Sequence, residues 1–159
     1  MSRLALSVVS IALVLLLQEV NVSAQDKEVP YPKLPTGAGK IDKDAAKTFT
    51  TTPSGLGYRV LRAGTGDKPT AANRVSVNYQ GWVASGKVFD SSYKRGEPTA
   101  FPLKGVIKGW TEGLQLVGEG GMIELAIPAS LAYGDSPPPG SGIGAGDTLY
   151  FLVELLEVK

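Results

Sequence analysis

The chain has no cysteine and no histidine among its 159 residues. Without thiols there is no disulfide, no cysteine nucleophile and no zinc–thiolate site. Without imidazole there is no Ser-His-Asp relay, no histidine acid–base catalysis and little scope for a transition-metal site. Neither sign of charge is in excess. Sixteen Lys and Arg oppose 15 Asp and Glu, for a net +1, which argues against a nucleic-acid or polyanion surface. Aromatic residues make up 8% of the chain and apolar residues 43%, enough for one core. Twenty glycines and 11 prolines, without a collagen period, imply frequent turns. The chemistry left open is that of carboxylates, hydroxyls, backbone groups and the shape of an apolar pocket. No metal and no cofactor are expected.

Long apolar runs are also scarce. The longest, Leu4 to Leu17, is broken by Ser7 and Ser10 and ended by Gln18, Glu19 and Asn21. A membrane span needs about 20 apolar residues. With Arg3 before the run and Val22-Ser23-Ala24 after it, residues 1–24 read as a signal peptide cut before Gln25. An uncleaved anchor is the alternative. The expectation is an exported protein, in a bacterial periplasm, the extracellular space or a eukaryotic secretory route, with no membrane segment once the leader is removed. The glycosylation sequon Asn21-Val22-Ser23 falls within the leader.

Residues 25–51 are rich in Pro and Lys, with Pro30, Pro32 and Pro35 closely spaced, and read as a linker. From 52 to 159 the texture is that of a folded domain. Val75, Val77 and Tyr79 alternate with Arg74, Ser76, Asn78 and Gln80, as a half-buried strand requires. Further strands are expected at Tyr58–Leu61, Val88–Asp90, Thr99–Leu103, Ile123–Ile127 and Thr148–Val158. Between Val106 and Val117, apolar residues recur every three or four positions through Trp110 and Leu114, and Gly118, Gly120 and Gly121 follow. One helix among five or six short strands implies an α+β fold, an antiparallel sheet curled over that helix.

Two motifs mislead. Gly81 to Lys87 fits GxxxxGK, but Val88 stands where a phosphate loop needs Ser or Thr, and the context is strand–turn–strand. Gly140, Gly142 and Gly144 precede no helix, so no helix N-terminus awaits a pyrophosphate. What remains is a set of rings on separate elements: Tyr79, Phe89, Phe101, Trp110, Tyr133 and Phe151. They could simply pack a core. Against that, two are tyrosines whose hydroxyls need partners if buried. Asp90 directly follows Phe89, and Tyr133 opens a long Pro/Gly loop of the kind that rims sites.

Five ordered blocks carry a family resemblance. They are Val75-Ser-Val-Asn-Tyr-Gln-Gly81, Gly86-Lys-Val-Phe-Asp-Ser-Ser92, Val106-Ile-Lys-Gly-Trp-Thr-Glu-Gly113, Leu131-Ala-Tyr-Gly134 and Leu149-Tyr-Phe-Leu-Val-Glu-Leu-Leu156. From about Thr52 to Val158 the chain resembles FKBP-type peptidyl-prolyl cis–trans isomerases. The resemblance implies a half-barrel of antiparallel strands on one short helix, with a prolyl pocket. It puts Trp110 at the pocket floor and Tyr79, Phe89 and Phe151 at its walls. The Ile107 N–H and the Tyr133 hydroxyl would bind substrate carbonyls, beside Val106. Asp90 would hold the polar edge with Arg95 and the Tyr79 hydroxyl. Tyr79, Asp90 and Tyr133 are thus the candidate catalytic groups. Phe101 joins the candidate substrate-binding residues, and Ile143 stands at the rim. The implied partners are X–Pro polypeptides and macrolide ligands, bound by a monomer. The chain departs from the family at Thr99, where an aromatic residue is usual, at Ile143-Gly144-Ala145 in place of Ile-Pro-Pro, and at Pro137 to Pro139.

Rotation about an X–Pro bond makes and breaks no covalent bond, so the missing residue types cost this reading nothing. The alternatives are a non-catalytic proline-peptide or chaperone module of the same fold, and a domain whose rings only fill its interior.

Overall fold

The computed structural model describes residues 28–159. The expected signal peptide, 1–24, lies outside them. In chain order the elements are β1 (Thr50–Thr51), β2 (Gly57–Arg62), β3 (Arg74–Val83), β4 (Val88–Ser91), α1 (Ser92–Arg95), β5 (Thr99–Pro102), α2 (Lys108–Gly113), β6 (Met122–Ile127) and β7 (Leu149–Val158). Short 3-10 turns lie at Leu103–Gly105, Leu114–Leu116 and Ala129–Leu131. The strands form one antiparallel sheet in the order β1-β2-β6-β7-β3-β4, with β5 beside the first half of β3. An open antiparallel sheet around a short helix is the α+β architecture that the alternation implied. Among the described residues the strands number seven, because the two-residue β1 adds an edge.

β3 and β7 pair from Val75↔Val158 to Val83↔Leu149 and form the spine of the sheet. On β3 the apolar phase Val75, Val77, Tyr79 turns inward, as read from the alternation. Opposite it, Leu149, Phe151, Val153 and Leu155 of β7 and Ile123, Leu125 and Ile127 of β6 complete the inner face. α2 lies across this face, and its contact residues are glycines. A Cβ on Gly113 would stand 2.6 Å from Leu125 Cδ2, and one on Gly109 would overlap Ile127. Only hydrogen atoms on that side let the helix backbone rest directly on β6. The helix starts later than its apolar stripe suggests: Val106 and Ile107 are extended, and the helix runs from Lys108 before tightening into a 3-10 turn at Leu114.

The segment read as a linker runs along the outer face of the sheet. The N–H groups of Asp42 and Ala46 donate to Leu61 and Val60 carbonyls of β2 at 2.8 and 3.4 Å. Leu34, Ile41 and Ala45 pack with Trp82 on a second apolar cluster, Leu61, Met122 and Leu152. Two ion pairs beneath this strap join it to the sheet. Arg59, 1% exposed, donates to Glu124 at 2.6 Å and to the carbonyls of Val29, Pro30 and Lys47. Glu154 accepts from Arg62 at 2.7 Å, the Tyr93 hydroxyl at 2.6 Å and the Gly39 N–H at 3.1 Å. A Pro-rich composition with few large apolar residues suggests a spacer. Polar anchors on the strands beneath hold it down.

Candidate functional site

Between the inner face of the sheet and α2 lies an open hollow of about 520 Å³. Its lining includes all six rings of the aromatic set, together with Asp90, Val106 and Ile107. Trp110, 4% exposed, forms its base. Tyr79, Phe101 and Phe151 stand at 86°, 90° and 83° to the indole, with centroids 5.1, 5.7 and 5.3 Å away. Edge-to-face contact is a preferred geometry for aromatic pairs. All three rings, like the indole, also line the hollow. Phe89 extends the wall, perpendicular to Phe151 at 5.5 Å.

Local backbone features bring these groups together. Gly81 of β3 has no side chain, and a Cβ there would meet Phe89 Cζ at 2.6 Å and Phe151 Cε1 at 2.7 Å. In the pairing of β3 with β4, Gly81 faces Asp90 and Trp82 faces Val88, which leaves Phe89 as the extra residue of a bulge. A bulge breaks the two-residue alternation. It lets successive residues, Phe89 and Asp90, both face the hollow. The extended Val106-Ile107 step and the start of α2 supply the opposite side. Ile143 does not line the hollow; it packs on the margin of the core, where its N–H donates to the Ser141 hydroxyl at 3.3 Å.

The polar edge is a linked set. The Tyr79 hydroxyl donates to Asp90 Oδ2, and Arg95 Nη1 donates to Asp90 Oδ1. Arg95 Nη2 donates to the Tyr79 oxygen at 3.0 Å and to Thr99 Oγ1 at 3.2 Å, with the guanidinium 5.5 Å from the Tyr79 ring centre. Arg95 ends α1, a four-residue helix absent from the sequence reading because so short an element has no periodicity. Ser91 caps its start, accepting from the Lys94 N–H, and Gly96, at φ 79°, turns the chain into β5. No local pattern signals the Arg95–Thr99 contact either; in the sequence Thr99 stands out only as the residue that replaces an aromatic one.

These contacts set the charge states. Burial pushes the Asp90 carboxyl up, but hydrogen bonds from Tyr79 and Arg95 and the pull of the guanidinium outweigh it, so it lies below its usual value. Burial, then the hydrogen bond to Asp90, raises the Tyr79 hydroxyl. Bonding to Tyr79 and Asp90 raises Arg95 further. Around neutrality the edge is therefore a carboxylate, a neutral phenol and a guanidinium, locked together.

Three donors facing or underlying the hollow have no partner in the chain among the described residues. They are the buried Trp110 Nε1, the Ile107 N–H and the hydroxyl of Tyr133, which is 39% exposed. Buried polar groups are normally satisfied; of the three only Trp110 Nε1 is buried and unpaired, while the half-buried Ile107 N–H and the exposed Tyr133 hydroxyl are open to solvent or to a ligand's acceptor atoms. Among the described residues, no group of three or more His, Asp or Glu could hold a metal ion. A larger hollow, about 630 Å³, lies on the opposite face between the strap and the sheet. Its carboxylate, Glu124, is already engaged by Arg59, and its Trp82 and Tyr150 rings lie nearly parallel, at 15°.

A half-open antiparallel sheet on a short helix, with a ring-lined hollow between them, defines an α+β domain built around an aromatic pocket. The family model for FKBP-type peptidyl-prolyl cis-trans isomerases matches residues 66–156. The chain belongs to that family. It is 50% identical over 118 residues to the peptidyl-prolyl cis-trans isomerase Mip of Coxiella burnetii, covering 74% of this chain and 50% of the relative. It is 51% identical over 158 residues to the FKBP-type peptidyl-prolyl cis-trans isomerase FkpA of Escherichia coli, covering 89% of this chain and 57% of the relative. The crystal structure of Escherichia coli FkpA superposes with a TM-score of 0.67 at 51% identity, over 70% of this chain and 51% of that one. The crystal structure of AtFKBP13 gives 0.62 at 34% identity, over 70% of this chain and 98% of that one. The chain spans about half the length of the curated relatives it matches.

Proposed function

We propose that this chain is a peptidyl-prolyl cis–trans isomerase that binds the prolyl ring of X–Pro polypeptides over Trp110 and lowers the barrier to rotation. The observation that carries the reading is the hollow itself, lined by the indole and by rings nearly perpendicular to it. The barrier to X–Pro rotation is about 18–20 kcal/mol, because amide resonance must be broken. In the twisted transition state the C–N bond loses double-bond character and the amide becomes less polar. Water favours the planar, polar amide, so a dry aromatic pocket favours the twisted one. Uncatalysed exchange takes about 10–100 s. A turnover near 10² s⁻¹ then needs about 4–5.5 kcal/mol of differential stabilisation. Selective desolvation and a few positioned hydrogen bonds supply energies of that size.

In this reading the Ile107 N–H and Tyr133 O–H bind substrate carbonyls, while Phe89, Phe101, Val106 and Phe151 hold the ring. Asp90 and Tyr79 form the polar edge, with their orientation set by Arg95. The clients are exported polypeptides. The leader-like residues 1–24 support that, and a 47% identical relative in Legionella longbeachae is named outer membrane protein MIP. N-terminal sequencing of exported material tests the export reading, which predicts a first residue of Gln25.

The decisive experiment measures isomerisation of an X–Pro peptide and, in a Trp82→Phe variant, the emission of Trp110 with the same peptide. Acceleration together with an emission change is the expected result. An emission change without acceleration identifies a non-catalytic binding module. If the peptide produces neither response, the hollow does not take X–Pro peptides and the reading fails.

A further inference from the structure

Beside the ring-lined hollow, across Val106, lies a second, smaller depression of about 370 Å³, lined by Lys104, Val106, Lys108, Thr111, Glu112 and Gln115. Val106 is common to both. Lys104 and Lys108 stand four residues apart on either side of the Val106-Ile107 step. Among the described residues neither forms an ion pair, whereas Arg59, Arg62 and Arg95 all do. Their spacing is fixed by the backbone, because the Thr111 hydroxyl donates to the Leu103 carbonyl at 2.7 Å and so ties α2 to the 3-10 turn that bears Lys104. The one carboxylate of the depression, Glu112, accepts from the Ser54 hydroxyl at 2.7 Å. The depression thus presents two uncommitted cations against one hydrogen-bonded anion.

The geometry points to an extended subsite: a client segment anchored by its proline continues over Val106 into this depression, where Lys104 and Lys108 favour an Asp or Glu a few residues from the X–Pro bond. This rests on the prolyl-binding reading of the main hollow. Exposed ion pairs are weak on their own. Here the prolyl anchor supplies the tether, so each pair acts at high effective concentration and appears in kcat/KM. Free carboxylates or phosphate are not expected to bind there, since no buried polar group completes a closed site.

The test uses the full chain and NMR exchange measurements on peptides with one X–Pro core. Glu, Gln or Lys is placed two or three residues away on either side. At low ionic strength the Glu peptide is expected to exceed its Gln counterpart about 2- to 5-fold in kcat/KM, on one side of the proline only, with Lys below Gln. The ratio should collapse near 1 M salt, where the screening length falls to about 3 Å. In Lys104→Gln/Lys108→Gln the Glu/Gln ratio should approach one. In Lys40→Gln/Lys43→Gln, which removes the same charge from the strap, it should persist. A ratio near one in the unmodified chain, or one that survives the Lys104/Lys108 substitutions, overturns the subsite. If no peptide exchanges faster, the isomerase reading fails. The peptides' Kd values from Trp110 emission in the Trp82→Phe background then decide the charge preference separately.

Discussion

Asp90 and Arg95 are about two-fifths exposed, yet they share three hydrogen bonds with Tyr79. Exposed pairs contribute about 0–1 kcal/mol to stability, so the value of this one lies in orientation. Asp90→Val should therefore lower kcat/KM about tenfold while shifting Tm by no more than a few degrees; an unchanged kcat/KM would remove the carboxylate from the reaction. Thr99 belongs to the same set through Arg95. Thr99→Val should lower kcat about 2- to 3-fold and Thr99→Ser should restore it, since only the hydroxyl is at issue. Equal activity in both variants would show that the hydroxyl does not position Arg95.

At the level of elements, the floor of the hollow depends on how closely α2 approaches β6. In Gly109→Ala the new methyl overlaps Ile127, a β-branched residue held within a strand. Overpacking of this kind costs about 1–3 kcal/mol. Because Trp110 is the next residue, peptide affinity should fall with stability, and Trp110 emission should change even without ligand. The strap depends on a different device. Glu124→Gln leaves Arg59 buried without its counter-charge, and breaking a buried pair in this way costs about 3–5 kcal/mol. The denaturation midpoint should drop, and amide exchange should speed up at Ala46, whose N–H donates to Val60 of β2, and at Val29, whose N–H pairs with Lys47 within the strap. Unchanged exchange there would mean that the apolar contacts of Leu34 and Ile41 suffice.

Over the whole molecule, the lack of histidine means that no side chain of ordinary pKa titrates between about pH 6 and 8, so turnover should be flat there. Asp90 and Glu154 both lie below their ordinary values of 3.8 and 4.5, despite the opposing effect of burial. A lowered folded-state value stabilises fully above the unfolded one, and that stability is lost as pH falls through the folded value. Glu124 is raised by burial and acts in the opposite sense. Denaturation midpoints against pH should thus hold through neutrality and fall on the acid side below about pH 4. In Glu154→Gln that acid decline should be shallower. Activity that varies across pH 6–8 would contradict the proton inventory.

Local order was the part legible from the chain alone. Period-two alternation assigned the inward face of β3, and the apolar stripe through Trp110 and Leu114 marked the helix. The missing thiols and imidazoles left a pocket chemistry that needs neither. These are properties of residues close in sequence, so they survive without knowledge of partners. The bulge at Phe89, the carriage of Arg95 to Asp90 on a four-residue helix, and the strap clamped by Arg59 and Glu154 each required pairing between distant segments. So did the openness above Trp110. Whether rings fill a core or line a cavity depends on their placement, which strand register and the glycine contacts at Gly81 and Gly109 determine, and no local pattern encodes those.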